Sequence, residues 1–261
     1  MNAVTEPLAT RAAILETPKA RVGIIIPSSN RLAEPQLRHY LPAEIGLHTT
    51  RLRMTGPWHK PLGEIHDAIK QAAGALNDSK CDVIVFNCTG GAMADGPEEE
   101  TRVLELIAEE TDAEAMSTGE AVVDALRAVA IKSMVLVTPY VQSTNDAEKI
   151  YLESLGFEVL NDIALGLGGG NFYIHVPPEK WLETTEKALM GAGSDADGVF
   201  LSCTNTTQIE IIPIAEQKFG RPCINSNQAV IWAALNRIRA RKGQDSDSIA
   251  KPQGLGKLFD I

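Results

Sequence analysis

The chain of 261 residues contains no apolar run approaching the ~20 residues of a membrane-spanning helix; its longest runs are of strand length, so no membrane partner is expected. Cationic charge is also scarce, with 24 Lys and Arg against 34 Asp and Glu and a net charge of −10. Nucleic acids and anionic membranes are held largely by clustered Lys and Arg, so neither is an expected partner. The same deficit means that an anionic substrate gains no long-range attraction and must be captured by local backbone N–H groups, hydroxyls and amides. There are only four cysteines, with no C-x-x-C pair and no metal-ligand spacing to the five histidines. A zinc site or a disulfide framework is therefore not expected, and reduced thiols are. The one glycine-rich loop, Gly166-Leu-Gly-Gly-Gly170-Asn171, has Asn171 where a dinucleotide loop needs its third glycine. With the Walker pattern absent as well, that loop reads as a mobile cover over a site, and no cofactor is called for. No seryl-hydrolase or metalloprotease motif occurs, which reduces the search for a nucleophile to cysteine. Residues 1–20 mix Glu6 and Glu16 with Arg11 and Lys19 and resemble no targeting peptide, so a cytoplasmic enzyme with a flexible N-terminal segment is expected.

What the chain does contain is a pattern stated twice. Val22-Gly-Ile-Ile-Ile-Pro-Ser-Ser-Asn30 is followed by Cys81-Asp-Val-Ile-Val-Phe-Asn-Cys88-Thr-Gly-Gly91. Met134-Val-Leu-Val-Thr-Pro-Tyr140 is followed by Asp197-Gly-Val-Phe-Leu-Ser-Cys203-Thr-Asn-Thr206. The proline-to-cysteine spacing is nearly equal, 27 to 88 and 139 to 203. Each apolar run reads as a buried parallel strand, and strand signals at 21–26, 46–53, 82–87, 134–138, 157–160, 198–202 and 222–225 alternate with helical patterns at 31–41, 62–79, 98–110, 118–129, 144–155, 178–192, 208–219 and 227–241. The expected fold is α/β, with two pseudo-symmetric lobes, each a parallel sheet flanked by helices, and an active site in the cleft between them. Lobe 1 is expected to comprise 21–125 and 227–241, lobe 2 126–226. Helices 118–129 and 227–241 change sides, since Ser117-Thr-Gly-Glu and Ser226-Asn-Gln look like counterparts. Residues 242–261 read as a flexible connector and a short apolar tail. An enzyme of this size is also a possible homo-oligomer.

Open α/β sheets carry their chemistry beyond the strand ends. A free cysteine is more often a small buried hydrophobe than a catalyst, and Cys81 and Cys223, flanked by strand residues, fit that description. Cys88 and Cys203 instead end their strands and are followed by threonine and small or polar residues that open a helix, where N–H groups and the helix dipole favour a thiolate. Two such thiols facing one another form an acid/base or nucleophile pair. Ser29 and Asn30 at the first strand tip, Thr89 and Gly90 beside Cys88, and Thr204 and Asn205 beside Cys203 read as neutral donors for a substrate carboxylate, although helix capping alone accounts for one of them. Tyr140 occupies the matching tip in the second half, where its phenol could donate to a carboxylate or an enolate oxygen, and Asn171 could reach in from the glycine loop. Arg31 lies one residue inside a helix and is expected to point away.

These segments resemble the cofactor-independent Asp/Glu racemase superfamily, in its maleate cis-trans isomerase and arylmalonate decarboxylase branch, over roughly residues 20–260. Met116-Ser-Thr, the Tyr140 and Cys203 segments and the tail Gly254-Leu-Gly-Lys-Leu-Phe-Asp260 resemble the decarboxylases, which have glycine at the position of Cys88. The set Asn30, Cys88, Tyr140, Asn171 and Cys203 matches maleate isomerases, with a one-residue gap at Asn171. That resemblance implies that Cys88 adds to an alkene as nucleophile, Cys203 moves the proton, and the asparagines and tyrosine hold carboxylates. Thr89-Gly90-Gly91 departs from the usual isomerase continuation, and Cys88-Thr-Gly departs from the Cys-Asn-Thr of the amino-acid racemases. The expected activity is a cofactor-independent isomerase or racemase acting on a small carboxylate or dicarboxylate. The alternatives are a decarboxylase in which Cys203 alone donates a proton and a non-catalytic carboxylate-binding protein.

Overall fold

The computed structural model describes residues 18–54, 60–246 and 248–261. The segment 1–17, most of the N-terminal stretch expected to be flexible, lies outside the described residues. Strands run β1 (Ala20–Pro27), β2 (Ile45–Leu52), β3 (Val83–Phe86), β4 (Glu114–Ser117), β5 (Ser133–Thr138), β6 (Glu158–Ala164), β7 (Gly198–Leu201) and β8 (Cys223–Asn225). They form two four-stranded sheets, ordered β2-β1-β3-β4 and β6-β5-β7-β8, and every pairing is parallel. Adding four to each strand number of the first sheet gives the second, so the repeat read in the sequence is a repeat of topology.

The inner strands are those with uninterrupted apolar runs. All four residues of β3 and all four of β7 are buried, as expected of parallel strands covered on both faces. The outer strands β2 and β6 carry His48, Thr49, Asn161 and Asp162 and are mostly half-exposed. In the first sheet, Ile25, Ile84 and Phe86 point to one face, where they meet helices α2 (His66–Asp78) and the later Gly96–Glu110 helix. Ile24, Ile26, Val83 and Val85 point to the other and share one continuous core with the second sheet. An aspartate-to-backbone clamp recurs in both halves. Asp82 Oδ2 accepts from Arg21 N–H at 2.8 Å, and Asp197 Oδ2 accepts from Lys132 and Ser133 N–H at 3.0 and 2.9 Å, each tying the start of a thiol strand to the strand beside it.

The remaining helices are α1 (Ala33–Tyr40), α3 (Thr89–Ala94), α4 (Gly96–Glu110), α5 (Thr118–Ala128), α6 (Gln142–Ser154), α7 (Gly170–Tyr173), α8 (Pro178–Ala192), α9 (Ile212–Phe219) and α10 (Ser226–Lys242). Ser117 caps α5 by accepting from Glu120 N–H, and Asn225 caps α10 in a capping box with Gln228. The true counterparts are thus Ser117 and Asn225, one residue away from the pairing of Ser117 with Ser226 suggested by the sequence. Helices α5 and α10 pack on one another; α5 also touches β4 and β8, and α10 touches β3, β4 and β8, so both belong to the junction between sheets. Beyond α10, Ile249, Leu255, Leu258 and Phe259 are buried. Gln228 Nε2 donates to Leu255 O at 2.6 Å and Lys257 N–H to Glu216 Oε2 at 2.8 Å, which docks the apolar tail on the second half. Among the described residues no helix is long and apolar enough to cross a membrane.

The β7 strand has one position where a side chain cannot fit. A Cβ on Gly198 would stand 2.3 Å from Ile131 Cδ1 and 2.9 Å from the Pro222 carbonyl oxygen, a backbone atom that cannot yield alone. Gly198→Ala should therefore lower stability by about 1–3 kcal/mol, read as a reduced urea midpoint at unchanged slope, and an unaltered midpoint would contradict this packing of β7 against β8.

Candidate active site

Cys88 and Cys203 occupy equivalent places, each two residues past the end of its strand, since β3 ends at Phe86 and β7 at Leu201. The neighbouring strands β1 and β5 end at Pro27 and Thr138 and deliver Ser29, Asn30 and Tyr140 to the same end of the molecule. The two thiol turns meet through one side chain that the sequence reading did not assign to the site. Ser226 Oγ, fully buried, accepts from Thr89 Oγ1 at 2.9 Å and from Cys203 N–H at 3.0 Å. Ser226 is the first residue of α10, so the last helix places one acceptor between the residue after the first thiol and the backbone of the second.

The Cys203 sulfur accepts from Asn205 N–H of its own turn at 3.3 Å, and the Gly91 N–H lies near enough to the Cys88 sulfur to favour its ionisation. The Tyr140 hydroxyl lies near enough to the Cys203 sulfur to favour its ionisation. The thiols influence one another electrostatically, and Tyr140 and Tyr173 feel both, which gathers four titratable groups from the two halves into one site. The rings of Tyr140 and Tyr173 meet edge to face, with centroids 5.6 Å apart. Gly90 lies against the phenol, and a Cβ there would make ordinary contact with Tyr140 Cζ at 3.5 Å. Cys203 holds φ at +114°, a left-handed value that costs a non-glycine residue roughly 1–3 kcal/mol, so the second thiol turn is strained.

Burial outweighs these donors. It pushes the Cys88 thiol up to about 11 and the Cys203 thiol up to about 12, with the N–H contacts opposing. The expectation of thiolates held by the turn N–H groups is thus corrected: desolvation dominates, both thiols rest protonated at neutral pH, and ionising Cys88 at pH 7 costs roughly 5 kcal/mol. Burial likewise pushes the Tyr140 phenol well above its ordinary value, so it is a donor throughout the physiological range.

Several of the neutral donors are already engaged. Asn30 Nδ2 donates to Thr204 O and Oγ1 at 3.3 and 3.0 Å, while its Oδ1 accepts from Leu32 and Ala33 N–H at 3.1 and 2.9 Å, so its amide braces the two halves and caps α1. Asn205 does the same in reverse, with Nδ2 donating to Gly170 O at 2.7 Å and Oδ1 accepting from Arg31 N–H at 2.9 Å. Ser29 is half-buried against the glycine loop; a Cβ on Gly170 would lie 2.7 Å from its Oγ. Asn171 is exposed, and its carbonyl accepts from Arg31 Nη2 at 3.2 Å. Arg31 therefore does not simply turn to solvent but reaches across to the glycine loop of the other half. Arg51 on β2, which sequence reasoning missed, donates to Asn30 O at 2.6 Å and pairs with Glu34 at 3.0 Å. Among the described residues no cluster of His, Cys, Asp and Glu could hold a metal ion.

The model of a family described as arylmalonate decarboxylase matches residues 22–259. Maleate isomerase of Nocardia farcinica is 26% identical over 228 residues, 84% of this chain and 90% of that protein. Among solved structures, a glycine-to-cysteine variant of arylmalonate decarboxylase in its sulfate-associated form superposes with a TM-score of 0.80 at 21% identity, over 92% of this chain and all of that one. A cysteine-to-serine mutant of the Nocardia farcinica maleate cis-trans isomerase, carrying a covalently bound succinylcysteine intermediate, superposes with a TM-score of 0.75 at 27% identity, over 84% of this chain and 92% of that one.

The Ser226 bridge is open to direct test. Ser226→Ala strands the Cys203 N–H and the Thr89 hydroxyl, which should cost about 1–3 kcal/mol of stability. The loosened thiol turns should also lower kcat/KM on the order of 10- to 100-fold. A variant with wild-type urea midpoint and turnover would show that the bridge holds neither turn.

Proposed function

The chain belongs to the arylmalonate decarboxylase family, and within it we propose a cofactor-independent cis-trans isomerase of a small unsaturated dicarboxylate, with Cys88 as nucleophile and Cys203 as the proton donor. The observation that carries this reading is the matched pair of thiols, one per half, joined through Ser226. A decarboxylation needs a proton donor at only one face of the carbanion, and a second thiol at an equivalent strand end has no task there. The maleate isomerases among the relatives favour the same choice.

Two neutral thiols suffice for the reaction. The Cys88 sulfur bonds to one alkene carbon while the Cys203 S–H proton passes to the other, and the proton leaving Cys88 replaces the one lost by Cys203. The site as a whole gains and loses no proton, and the C=C bond becomes a single bond about which the adduct turns. Reversal of both transfers expels Cys88 and restores the alkene in the other geometry. Transferring the Cys88 proton in step with C–S bond formation avoids the roughly 5 kcal/mol cost of a free buried thiolate at neutral pH. Cys88 suits the nucleophile's part because it is partly exposed, whereas Cys203 is 5% exposed and lies under the Tyr140 hydroxyl. Tyr140 also supplies a neutral donor for a carboxylate whose negative charge rises as the adduct forms. Ser29, Gly90, Thr204 and the turn N–H groups, that of Thr89 included, complete the carboxylate pocket in this reading, the Thr89 hydroxyl being committed to Ser226, with Asn30, Asn171 and Asn205 setting its walls.

A decarboxylase remains the second reading, favoured by the description of the family model. In it, Thr89, Gly90, Tyr140, Thr204 and backbone N–H groups hold an enediolate and Cys203 alone reprotonates it. Incubation in D2O with a panel of cis-dicarboxylates, amino acids and substituted malonates, followed by NMR, separates the readings. Isomerisation should be lost in both Cys88→Ala and Cys203→Ala, and an active single mutant would exclude the two-thiol mechanism. Release of CO2 from malonates with Cys88 dispensable would establish the decarboxylase, and stoichiometric binding without turnover would mark a carboxylate-binding protein. Tyr140→Phe should lower kcat/KM on the order of 10- to 100-fold if its hydroxyl meets the developing charge. An unchanged value would remove Tyr140 from the donor set.

A further inference from the structure

Helix α6 carries a buried acid that the chemistry above does not use. Glu148 is 1% exposed, and neither of its carboxyl oxygens has a hydrogen-bond partner. Ser202, the residue before the second thiol, is fully buried with its hydroxyl equally unpartnered. That hydroxyl is near enough to Glu148 to favour ionisation, although the pair does not reach hydrogen-bond geometry. Buried polar atoms are nearly always satisfied, so three orphans together beside a reactive cysteine call for an explanation.

Among the described residues the surroundings of Glu148 contain acids and neutral groups but no free cation. On its own helix, Lys149 is turned to Asp162 of β6 at 3.2 Å, Tyr151 is bonded to Glu100 of α4, and Asp146 accepts from Gln142. Helix α3, packed against α6, has no ionisable side chain in its Thr-Gly-Gly-Ala-Met-Ala sequence. Glu100 of α4 is occupied by Ser117 and Tyr151. On the β5 side, Thr138 donates to Asn145, and Asn145 to Asp162. What remains within electrostatic reach of Glu148 is the site itself: the charge of Glu148 acts on Cys88, on Cys203 and on Tyr140, in each case opposing their ionisation.

We propose that Glu148 is a positioning residue of the thiol site that works only as a neutral carboxylic acid, so that an anionic carboxylate entering the site draws a proton onto Glu148 whenever that side chain is ionised. This rests on the carboxylate-substrate reading above. Two uncompensated negative charges cannot both persist in a buried site, and among the described residues the compensation at hand is a mobile proton from solvent. The step balances simply: the Glu148 carboxylate takes one proton and the buffer gives one up. Burial pushes the Glu148 carboxyl up to about 8, which places the exchange within the pH range of ordinary assays. The sign follows from that raised value. Below about 8 the side chain is already protonated and binding needs no proton; above it, binding must pull the proton in, and affinity weakens about tenfold per pH unit.

The test uses succinate, a saturated dicarboxylate that cannot undergo the reaction, titrated calorimetrically into the full chain in two buffers of different ionisation enthalpy at pH 7 and pH 9. The wild type should take up about 0.1 proton per succinate at pH 7 and about 0.9 at pH 9, with Kd rising across the interval. E148Q should take up none at either pH and lose the rise. In assays with a turned-over dicarboxylate, the ratio of wild-type to E148Q kcat/KM should be constant below about pH 8 and fall about tenfold per unit above it, a readout that thiol titration common to both proteins cannot mimic. Equal proton uptake in the two proteins, or a wild type with no uptake and a level Kd, overturns the proposal; if E148Q does not fold, the wild-type titrations decide it alone. Absence of binding heat with succinate and with malonate at pH 7 instead removes the carboxylate reading, and the Glu148 proposal with it.

Discussion

One acceptor, Ser226 Oγ, sets the geometry on which the rest of the site depends. It receives the Thr89 hydroxyl from the first thiol turn and the Cys203 N–H from the second, and both bonds are fully buried. Other bonds also cross between the halves, Asn30 Nδ2 to Thr204 Oγ1, Arg31 N–H to Asn205 Oδ1 and Gln36 Nε2 to Thr206 O among them, but Ser226 is the acceptor that joins the residue after the first thiol to the backbone of the second. The position of Ser226 is fixed in turn by the α10 capping box, since Asn225 and Gln228 lock the first turn of that helix. A chain of local rules, from cap to helix start to hydroxyl, thus becomes a long-range constraint between two thiols 115 positions apart in sequence, at 88 and 203.

The second constraint is dielectric. A site able to accept an anion would ordinarily be lined with cations, yet Arg31 and Arg51 spend donors on backbone carbonyls of Asn171 and Asn30. Those bonds hold the segments of Asn171 and Asn30 in place. Within, the groups are neutral at rest: two thiols, a phenol and a carboxyl whose pKa values burial raises. Such a site favours chemistry that moves protons among its own groups over chemistry that needs a standing charge, because each standing charge bears its full desolvation cost.

The architecture was legible in the sequence because parallel inner strands announce themselves as apolar runs, and the duplicated Pro-to-Cys spacing revealed the twofold plan. Strand β4 was missed: Glu114-Ala-Met-Ser is four residues long and only Met116 and Ser117 are buried. Strand β6 was cut short at 160 because Asn161 and Asp162 break its apolar pattern on an outer edge, where hydrogen bonding to β5 carries the strand onward to Ala164. Helices α3 and α7 are too short for a 3.6-residue period to register. Cys88, Cys203 and Tyr140 stood out by position in the repeat, but Ser226 did not, because a serine at a helix start reads as a cap and the cap is Asn225. Glu148 had a usable signal: Asn145, Glu148, Tyr151 and Leu152 form one buried stripe on α6, so the acid lies on the inward face. The protonated state of the thiols had none, since desolvation depends on what surrounds a group in space.

The pseudo-symmetry is broken where the proposed mechanism requires it. Cys88 sits in extended backbone at the N-cap of α3, with φ of −149°, while Cys203 is held at +114°. The second sulfur accepts from Asn205 N–H and has the Tyr140 hydroxyl close by, whereas the first has only the Gly91 N–H in its vicinity. Two identical thiols would exchange roles freely, which suits removal and return of a proton at one carbon from opposite faces. A pair in which one member is partly open and sparsely bonded, and the other is strained, buried and covered by a phenol, suits a division of labour. The open sulfur can follow a carbon atom as a C–S bond forms and breaks, and the enclosed one has freedom only to give and regain a proton. The asymmetry therefore argues for addition and elimination over two-base racemisation, because it fixes in the backbone which thiol is free to move.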